Sequence, residues 1–452
     1  MKQLQTESPS KASPQNHQGR MIILMVITTI IIIIFQVQLA NFIYRGEQNF
    51  WQSGSDSYGQ LARALIEENL FTLNHADPTA HRPPLYPLFL ASILTFTDNP
   101  QAIIVAQSIL SGLTIGLLTG VAYFYTKKSW PTLIIIFLFA LSKFIPVDNI
   151  VQHETVLFTF LLTVGGILYW AETNAHSNAK IVGLGVVLGL AALARPLAPV
   201  LLLFGILWLM WRVLQKNAFS HSLKRVGLFI ATALLVLLPW GVRNWISLGT
   251  FSLTTTTQGA NLWKGNNPAT KDMYPELDAD ELAPLLYQTP TASGWWDPLH
   301  RLSTMTEPEQ SAYLSNLGLA YIRERPFHFL KMGAVKIWAL WTPQNIPTHS
   351  GKIEWTEGGA RIYDLMPFYD DMTPMFLLYL LVLPGLWKCR KSPFVWYFIM
   401  WSLALTAVHA ITFAESRFRW PLNMLMLPLA AVGAELIATK IYATIGHFIK
   451  KS

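Results

Sequence analysis

The chain has 452 residues, of which 52% are hydrophobic and 13% charged, about half the charged share of an average soluble domain. Its apolar residues come in blocks long enough to cross a bilayer as helices, which excludes an ordinary soluble domain. The net charge of +7 comes from short basic runs between these blocks and does not indicate nucleic-acid binding, and the single cysteine, Cys389, excludes an intramolecular disulfide.

Apolar segments along the whole chain are predicted to cross the membrane. Residues 1–20 are polar and predicted to form a disordered cytoplasmic tail, and Met21–Ile43 is predicted to be an uncleaved anchor, because it is long for a signal-peptide core and lacks a small-residue cleavage site. Further spans are predicted at 101–125, 131–147, 152–171, 180–194, 196–213, 225–241, 373–388, 393–411 and 420–440. The predicted fold class is an all-α polytopic membrane protein with about ten transmembrane helices.

Basic residues mark every second connection between these spans. They occur at Arg20, Lys127–Lys128, Lys180, Arg212 to Arg225, Lys388 to Lys391 and Lys440 to Lys451. Because basic loops stay in the cytoplasm, we predict a plasma (inner) membrane protein with both termini cytoplasmic. The outer face then receives two long loops, 44–100 and 242–372.

This pattern divides the chain into five parts. They are the tail 1–20, an N-terminal membrane module 21–241 that contains the outer loop 44–100, the large outer loop 242–372, the C-terminal transmembrane helices 373–440, and a cytoplasmic tail 441–452. Long loops of this kind are usually functional. The apolar stretches Leu85–Leu94 and Phe327–Leu340 are too short or interrupted to span, and are predicted to be helices at the membrane interface.

Candidate catalytic and binding residues fall on the predicted outer face. Asp56 precedes a predicted helix with Tyr58, Leu61, Ala62 and Leu65 on one face, and it suits either a helix cap or a general base. Arg82 lies among prolines in His81-Arg82-Pro83-Pro84-Leu85-Tyr86-Pro87, where it could bind a phosphate or a lipid headgroup. Arg195 interrupts an apolar hairpin, and a charge at such depth requires a partner.

Acids and arginines from distant parts of the chain share this face. Glu154 lies at the mouth of the fourth span, where a carboxylate needs a proton, a metal or a cation, and Asp148 lies in the preceding turn. The other acids and arginines on this predicted face are Arg243, Glu415, Arg417 and Arg419. An anionic, membrane-borne substrate would explain both signs of charge, with arginines on a phosphate leaving group and a carboxylate accepting the proton of an attacking hydroxyl.

At these residues the chain resembles the GT-C-type glycosyltransferases that use polyprenyl-phosphate sugars, especially bacterial relatives of protein O-mannosyltransferases and of the aminoarabinose transferases that modify lipid A. The resemblance implies that Asp56 is the catalytic base, although Ser57 stands where many members have a second acid. It also implies that Arg82 and Tyr86 lie at the donor phosphate and that Glu154, or else Asp148, is the acid at the fourth span. The other matching segments are 189–196 around Arg195, 239–244 with Arg243, 261–268, and 416–421 with Arg417 and Arg419.

The resemblance implies an inverting glycosyltransferase. Its partners would be a polyprenyl-phosphate-linked sugar donor, a hydroxyl-bearing acceptor (protein, lipid or cell-surface glycan) and membrane lipid, with no nucleic acid. No cofactor is assigned, but a divalent metal ion at Asp56 and Glu154, with His153, is left open. The alternatives are a transporter or flippase of a lipid-linked glycan, which should carry its charges near mid-membrane, and a non-catalytic scaffold.

Overall fold

The computed structural model describes residues 14–43, 57–141, 153–175, 177–268, 270, 302, 304–342 and 372–449. The regular elements of these residues are helices, with one isolated bridge between Thr72 and Pro78. In chain order they are α1 (Pro14–Ile43), α2 (Tyr58–Glu67), α3 (Leu85–Leu94), α4 (Pro100–Thr126), α5 (Pro131–Leu141), α6 (Thr155–Ala175), α7 (Asn178–Ala194), α8 (Ala198–Leu214), α9 (Phe219–Leu248), α10 (Gln258–Gly265), α11 (Glu307–Glu324), α12 (Pro326–Trp341), α13 (Met372–Cys389), α14 (Pro393–Ile411), a 3-10 helix (Ser416–Arg419) and α15 (Trp420–Ile449). The predicted all-α fold class is confirmed.

Six of the described helices are long and apolar enough to cross a membrane by length and composition, namely α1, α4, α6, α9, α14 and α15. The other four predicted spans are shorter apolar helices, α5, α7, α8 and α13. Each predicted span therefore corresponds to a helix. The two short stretches predicted for the interface are helical as well, as α3 and α12.

Several helices extend beyond their predicted limits. Residues 14–20 of the predicted tail belong to α1, and α15 continues to Ile449, inside the other predicted tail. α9 covers Phe219–Leu248 rather than 225–241 and ends before Gly249, whose φ of 69° is left-handed, as is common after a helix C-terminus. Hydrophobic patterns mark only the apolar part of a helix, so its polar end turns are missed.

α1 packs on α4 along three glycines spaced one turn apart, Gly112, Gly116 and Gly120. A Cβ atom added at Gly116 would lie 2.2 Å from the Thr29 hydroxyl oxygen and 2.9 Å from the Met25 carbonyl oxygen. Glycine therefore allows the two backbones to approach closely, which is a common mode of helix association in membranes. Isoleucines elsewhere on α1 remain exposed, including Ile22, Ile23, Ile30 and Ile34.

α6 connects two clusters of charged side chains. Glu154 precedes its first turn, and Glu172 lies in its last turn, where Arg225 Nε donates to the carboxylate at 2.7 Å and Arg212 lies 4.0 Å away. With a rise of 1.5 Å per residue, the two glutamates are about 27 Å apart along the helix, close to the thickness of a hydrocarbon core. α6 thus carries its acids at its two ends, with an apolar stretch between them.

Candidate functional site

A buried pair between Glu154 and Arg195 lies at the start of α6. Arg195 Nε is 3.5 Å from Glu154 Oε1, and the two side chains are 8% and 6% exposed, respectively. Arg195 follows the last residue of α7, where its extended backbone and the next residue, Pro196, end the helix. The sequence indicated that each of these charges requires a partner, and in the structure each is the partner of the other.

His153 extends this pair on the other side of the carboxylate. Its Nδ1 lies 3.2 Å from Glu154 Oε2 and 2.7 Å from the Thr155 hydroxyl oxygen, and the contact with Glu154 is an ion pair when His153 is protonated. A divalent cation on Glu154 would stand beside the Arg195 guanidinium, and like charges at this separation repel. The other carboxylate of the metal site that the sequence left open, Asp56, lies outside the described residues. Over the described residues, no group of three or more His, Cys, Asp or Glu side chains is placed to hold a metal ion.

Phe418, in the 3-10 helix, contacts both Arg195 of the Glu154–Arg195 pair and Arg417. The guanidinium carbons of Arg195 and Arg417 lie 5.1 Å and 5.6 Å from the centroid of its ring. The His409 ring stacks on the same side chain, with centroids 4.3 Å apart. Aromatic faces attract cations, so this ring holds two arginines from distant parts of the chain near each other.

Arg417 forms a hydrogen-bonded ion pair with Glu415. The Glu415 side chain is 2% exposed, whereas that of Arg417 is 24% exposed. A buried acid therefore anchors an arginine that remains partly accessible. A planar guanidinium held in this way can present N–H groups to a phosphate or carboxylate.

Arg419 lies in a different environment from Arg417. It is wholly buried, and its Nη1 donates to the Leu340 carbonyl oxygen at 2.7 Å. Leu340 belongs to the last turn of α12, where carbonyl groups have no donor within the helix. Arg419 therefore caps α12.

Arg82 and Tyr86 flank the two prolines before α3. The Arg82 guanidinium lies 5.7 Å from the Tyr58 ring centroid, and Tyr58 meets the Tyr86 ring edge-on at 5.0 Å. Tyr86 is wholly buried, and its hydroxyl donates to Gln107 Oε1 at 2.5 Å. The start of α2 thus supports the segment that carries Arg82.

The predicted acids Asp56 and Asp148 lie outside the described residues. The described chain resumes at Ser57, which has a left-handed backbone with φ 61° and immediately precedes α2. Of the predicted helix face, Tyr58, Leu61 and Ala62 are buried and Leu65 is partly buried.

Arg243, near the end of α9, contacts the chain between α2 and α3. Its guanidinium donates to the carbonyl oxygens of Thr79 at 2.7 Å and Phe71 at 3.3 Å, and lies 4.8 Å from the Trp240 ring centroid. These contacts place Arg243 with the chain between α2 and α3 rather than with Arg195 and Arg417 at the Phe418 ring.

Glu307 joins the chain between α2 and α3 to the chain between α9 and α10, which local sequence patterns did not indicate. Its carboxylate accepts hydrogen bonds from the Thr79 hydroxyl at 2.6 Å, the Ala80 amide at 3.0 Å and the Thr256 hydroxyl. Glu307 is also the first residue of α11, where the helix dipole favours a negative charge. The capping-box pattern of Thr306 and Glu309 signals the helix start, but no sequence signal identifies partners so distant along the chain.

Comparison with known proteins finds no matching family model and no matching curated protein. In structure the chain is similar to the oligosaccharyltransferase of Archaeoglobus fulgidus, solved in complex with Zn and sulfate, with a TM-score of 0.48 and 13% identity over 93% of this chain and 49% of that one. It is also similar to ArnT from Cupriavidus metallidurans bound to undecaprenyl phosphate, with a TM-score of 0.41 and 11% identity over 92% of this chain and 77% of that one. The chain spans about half the length of the archaeal enzyme.

Proposed function

We propose that this protein is a membrane glycosyltransferase that moves a sugar from a polyprenyl-phosphate donor to a hydroxyl acceptor, with inversion at the anomeric carbon. The observation that carries the proposal is the convergence of Arg195 and Arg417 on the Phe418 ring, beside the buried Glu154. Two guanidinium groups near one end of an apolar helix bundle suit a ligand that combines a lipid tail with a phosphate.

The arginines in this proposal are held in place before the donor arrives. Glu154 pairs with Arg195 and Glu415 pairs with Arg417, so the four groups together carry no net charge. Each guanidinium has five N–H donors, more than one carboxylate can accept. Arg417, as the more exposed of the two arginines, is the primary phosphate ligand in our proposal.

The chemical step assigned to this site transfers one glycosyl group. The acceptor oxygen attacks the anomeric carbon and forms the new C–O bond, while the bond from that carbon to the phosphate oxygen breaks and its electron pair leaves with the lipid phosphate. Asp56 takes the proton of the acceptor hydroxyl. Arg82, with Arg195 or Arg417, stabilises the negative charge that develops on the departing phosphate.

Three other predicted ligands act indirectly in this proposal. Arg243 positions the first outer loop, Arg419 caps α12, and Tyr86 fixes α3 on α4 through Gln107. The reaction would take place at the outer face of the plasma membrane, with both termini in the cytoplasm. No step is assigned to a metal ion, because the Glu154 carboxylate faces Arg195 and His153.

The proposal is tested with purified protein in lipid, a panel of polyprenyl-phosphate monosaccharides and a crude envelope extract. Wild type should consume one donor and release polyprenyl phosphate in step with sugar transfer, and the product should have the opposite anomeric configuration. Arg417→Gln should lower kcat/KM for that donor by about a hundredfold. The control Arg390→Gln, which removes an exposed arginine, should behave as wild type. Equal rates for the two variants would contradict the role of Arg417, and no consumption of any donor by wild type would contradict the function.

A further inference from the structure

Two helices end beside the candidate site, α12 at Trp341 and α14 at Ile411. The last carbonyl groups of any helix have no donor within that helix, and buried ones need donors from elsewhere in the chain. In this protein each of the two helix ends has a cationic donor: Lys336 of α12 at the end of α14, and Arg419, eight residues beyond α14, at the end of α12.

The end of α14 is capped by side chains from the large outer loop. Asn266 Nδ2 donates to the Ile411 carbonyl oxygen at 2.8 Å, and Lys336 Nζ lies 3.5 Å from the Ala410 carbonyl oxygen and 3.4 Å from Asn266 Oδ1. Lys336 belongs to α12 and is wholly buried. A positive charge at a helix C-terminus interacts favourably with the helix dipole.

The end of α12 is capped in return by Arg419, in the 3-10 helix, and by Tyr379 of α13. Arg419 Nη1 donates to the Leu340 carbonyl oxygen at 2.7 Å, and the Tyr379 hydroxyl donates to the Trp341 carbonyl oxygen at 3.0 Å. Lys336 of α12 thus caps α14, and Arg419, beyond the end of α14, caps α12. The two caps enclose residues 412–419, the segment that carries Glu415 and Arg417.

Close packing fixes the same segment between its ends. Phe413 and Phe418 pack with Leu340 in a small buried cluster. The backbone of Gly265 approaches residue 412 so closely that an added Cβ atom would lie 1.7 Å from the Thr412 carbonyl oxygen. Segment 412–419 therefore has contacts with residues of α10 and α12 near both of its ends.

We propose that Lys336 is a positioning residue that, together with Asn266, fixes segment 412–419 and thereby orients the Arg417 guanidinium toward the phosphate of the donor lipid. The identity of this ligand rests on the proposed function. The contacts by which Lys336 caps α14 and Arg419 caps α12 do not depend on that function. Lys336 is assigned this positioning role rather than a stabilising one. Its ammonium is buried with two neutral acceptors, burial lowers its pKa to about 7, and an uncharged side chain of similar length would avoid this desolvation.

The decisive test is a double-mutant cycle between Lys336→Met and Arg417→Gln, read out as inhibition by polyprenyl phosphate, the released product. Lys336→Met alone should raise the inhibition constant about tenfold, because a guanidinium displaced by a fraction of an ångström loses its paired hydrogen bonds. In the Arg417→Gln background the same substitution should have no further effect, since residues that act through one another are not additive. Asn266→Ala should reproduce the single effect. Lys331→Met, on an exposed position of α12, is the matched control.

Hydrogen exchange of residues 412–419 provides a readout that does not depend on activity. In the Lys336→Met and Asn266→Ala variants, the amides of this segment should exchange about tenfold faster than in Lys331→Met. The thermal midpoint of Lys336→Met should be unchanged or higher than that of wild type. The inference would be overturned if the exchange rates and inhibition constants equalled those of Lys331→Met. It would also be overturned if the two substitutions had additive effects on the inhibition constant in the double variant. If wild type used no donor, the proposed function would fail, and exchange alone would still decide whether Lys336 fixes the segment.

Discussion

The carboxylate of Glu154 lies 3.5 Å from the guanidinium of Arg195, with both side chains more than nine-tenths buried. Removing either partner leaves the other charge buried and uncompensated, which typically costs about 3–5 kcal/mol. We therefore expect Glu154→Gln and Arg195→Gln each to lower the free energy of unfolding by this amount in detergent. The double variant should lose less than the sum of the two, because no charge is left without a partner.

Chemical denaturation of the four proteins measures this coupling. Glu324→Gln, an exposed glutamate at the end of α11, serves as the control for a substitution that breaks no buried pair. If the losses in free energy of unfolding were strictly additive, they would contradict an interaction between Glu154 and Arg195.

The contact between α1 and α4 depends on glycine. At Gly116 an added methyl group would lie 2.2 Å from the Thr29 hydroxyl oxygen and 2.9 Å from a backbone carbonyl oxygen, so α1 would have to move away. We expect Gly116→Ala to lower the thermal midpoint. Gly227→Ala, in α9, meets nothing within 4 Å and should be neutral or stabilising by about 0.5–1 kcal/mol from helix propensity. Equal thermal midpoints for Gly116→Ala and Gly227→Ala would contradict the close packing of α1 on α4 at Gly116.

Stability should depend on pH through Lys336. Burial lowers its pKa from 10.5 to about 7 in the folded protein. Between these values the unfolded chain binds the proton and the folded chain does not, so the free energy of unfolding should rise with pH across this window. Below it the ammonium is charged in both states and its burial is fully destabilising.

Lys336→Met should remove this part of the pH dependence, whereas Lys331→Met should retain it. Denaturation at pH 6, 7, 8 and 9 gives the comparison. Identical pH profiles for the two variants would show that Lys336 does not titrate in this range.

Glu307 should be required for the junction between residues 79–80 and Thr256. It accepts hydrogen bonds from Thr79, Ala80 and Thr256, and glutamine offers a single acceptor oxygen in place of two. Leaving a buried donor unsatisfied costs about 1–3 kcal/mol, so Glu307→Gln should be destabilising and should make residues 79–82 more susceptible to protease. Glu324→Gln should leave the cleavage rate unchanged, and equal cleavage of both variants would contradict this role.

Much of the architecture follows from local patterns in the sequence. Apolar blocks marked the helices, and the depth of Glu154 and Arg195 required a partner for each charge, which the structure supplies as one pair. These predictions succeed because hydrophobic periodicity and the cost of burying a charge are properties of short segments.

Other features depend on contacts between distant segments. Glu307 and Lys336 resemble ordinary solvent-facing residues in sequence, and their roles come from loops and helix ends that only the folded chain brings to them. The same holds for Arg417 and Arg419, two residues apart, of which one is partly accessible beside Glu415 and the other caps α12. Nothing in their shared motif distinguishes an arginine that could reach a ligand from one that supports a helix.

The most direct test of the proposed transferase is the effect of Asp56→Asn on sugar transfer from the donor that wild type consumes. Asp98→Asn, at an exposed aspartate before α4, is the matched control. We expect Asp56→Asn to fold, to bind the donor and to lose at least about a hundredfold in kcat, because an amide cannot take the acceptor proton. Transfer by Asp56→Asn at the rate of Asp98→Asn would contradict the assignment of Asp56 as the base, and with it the account of the reaction given above.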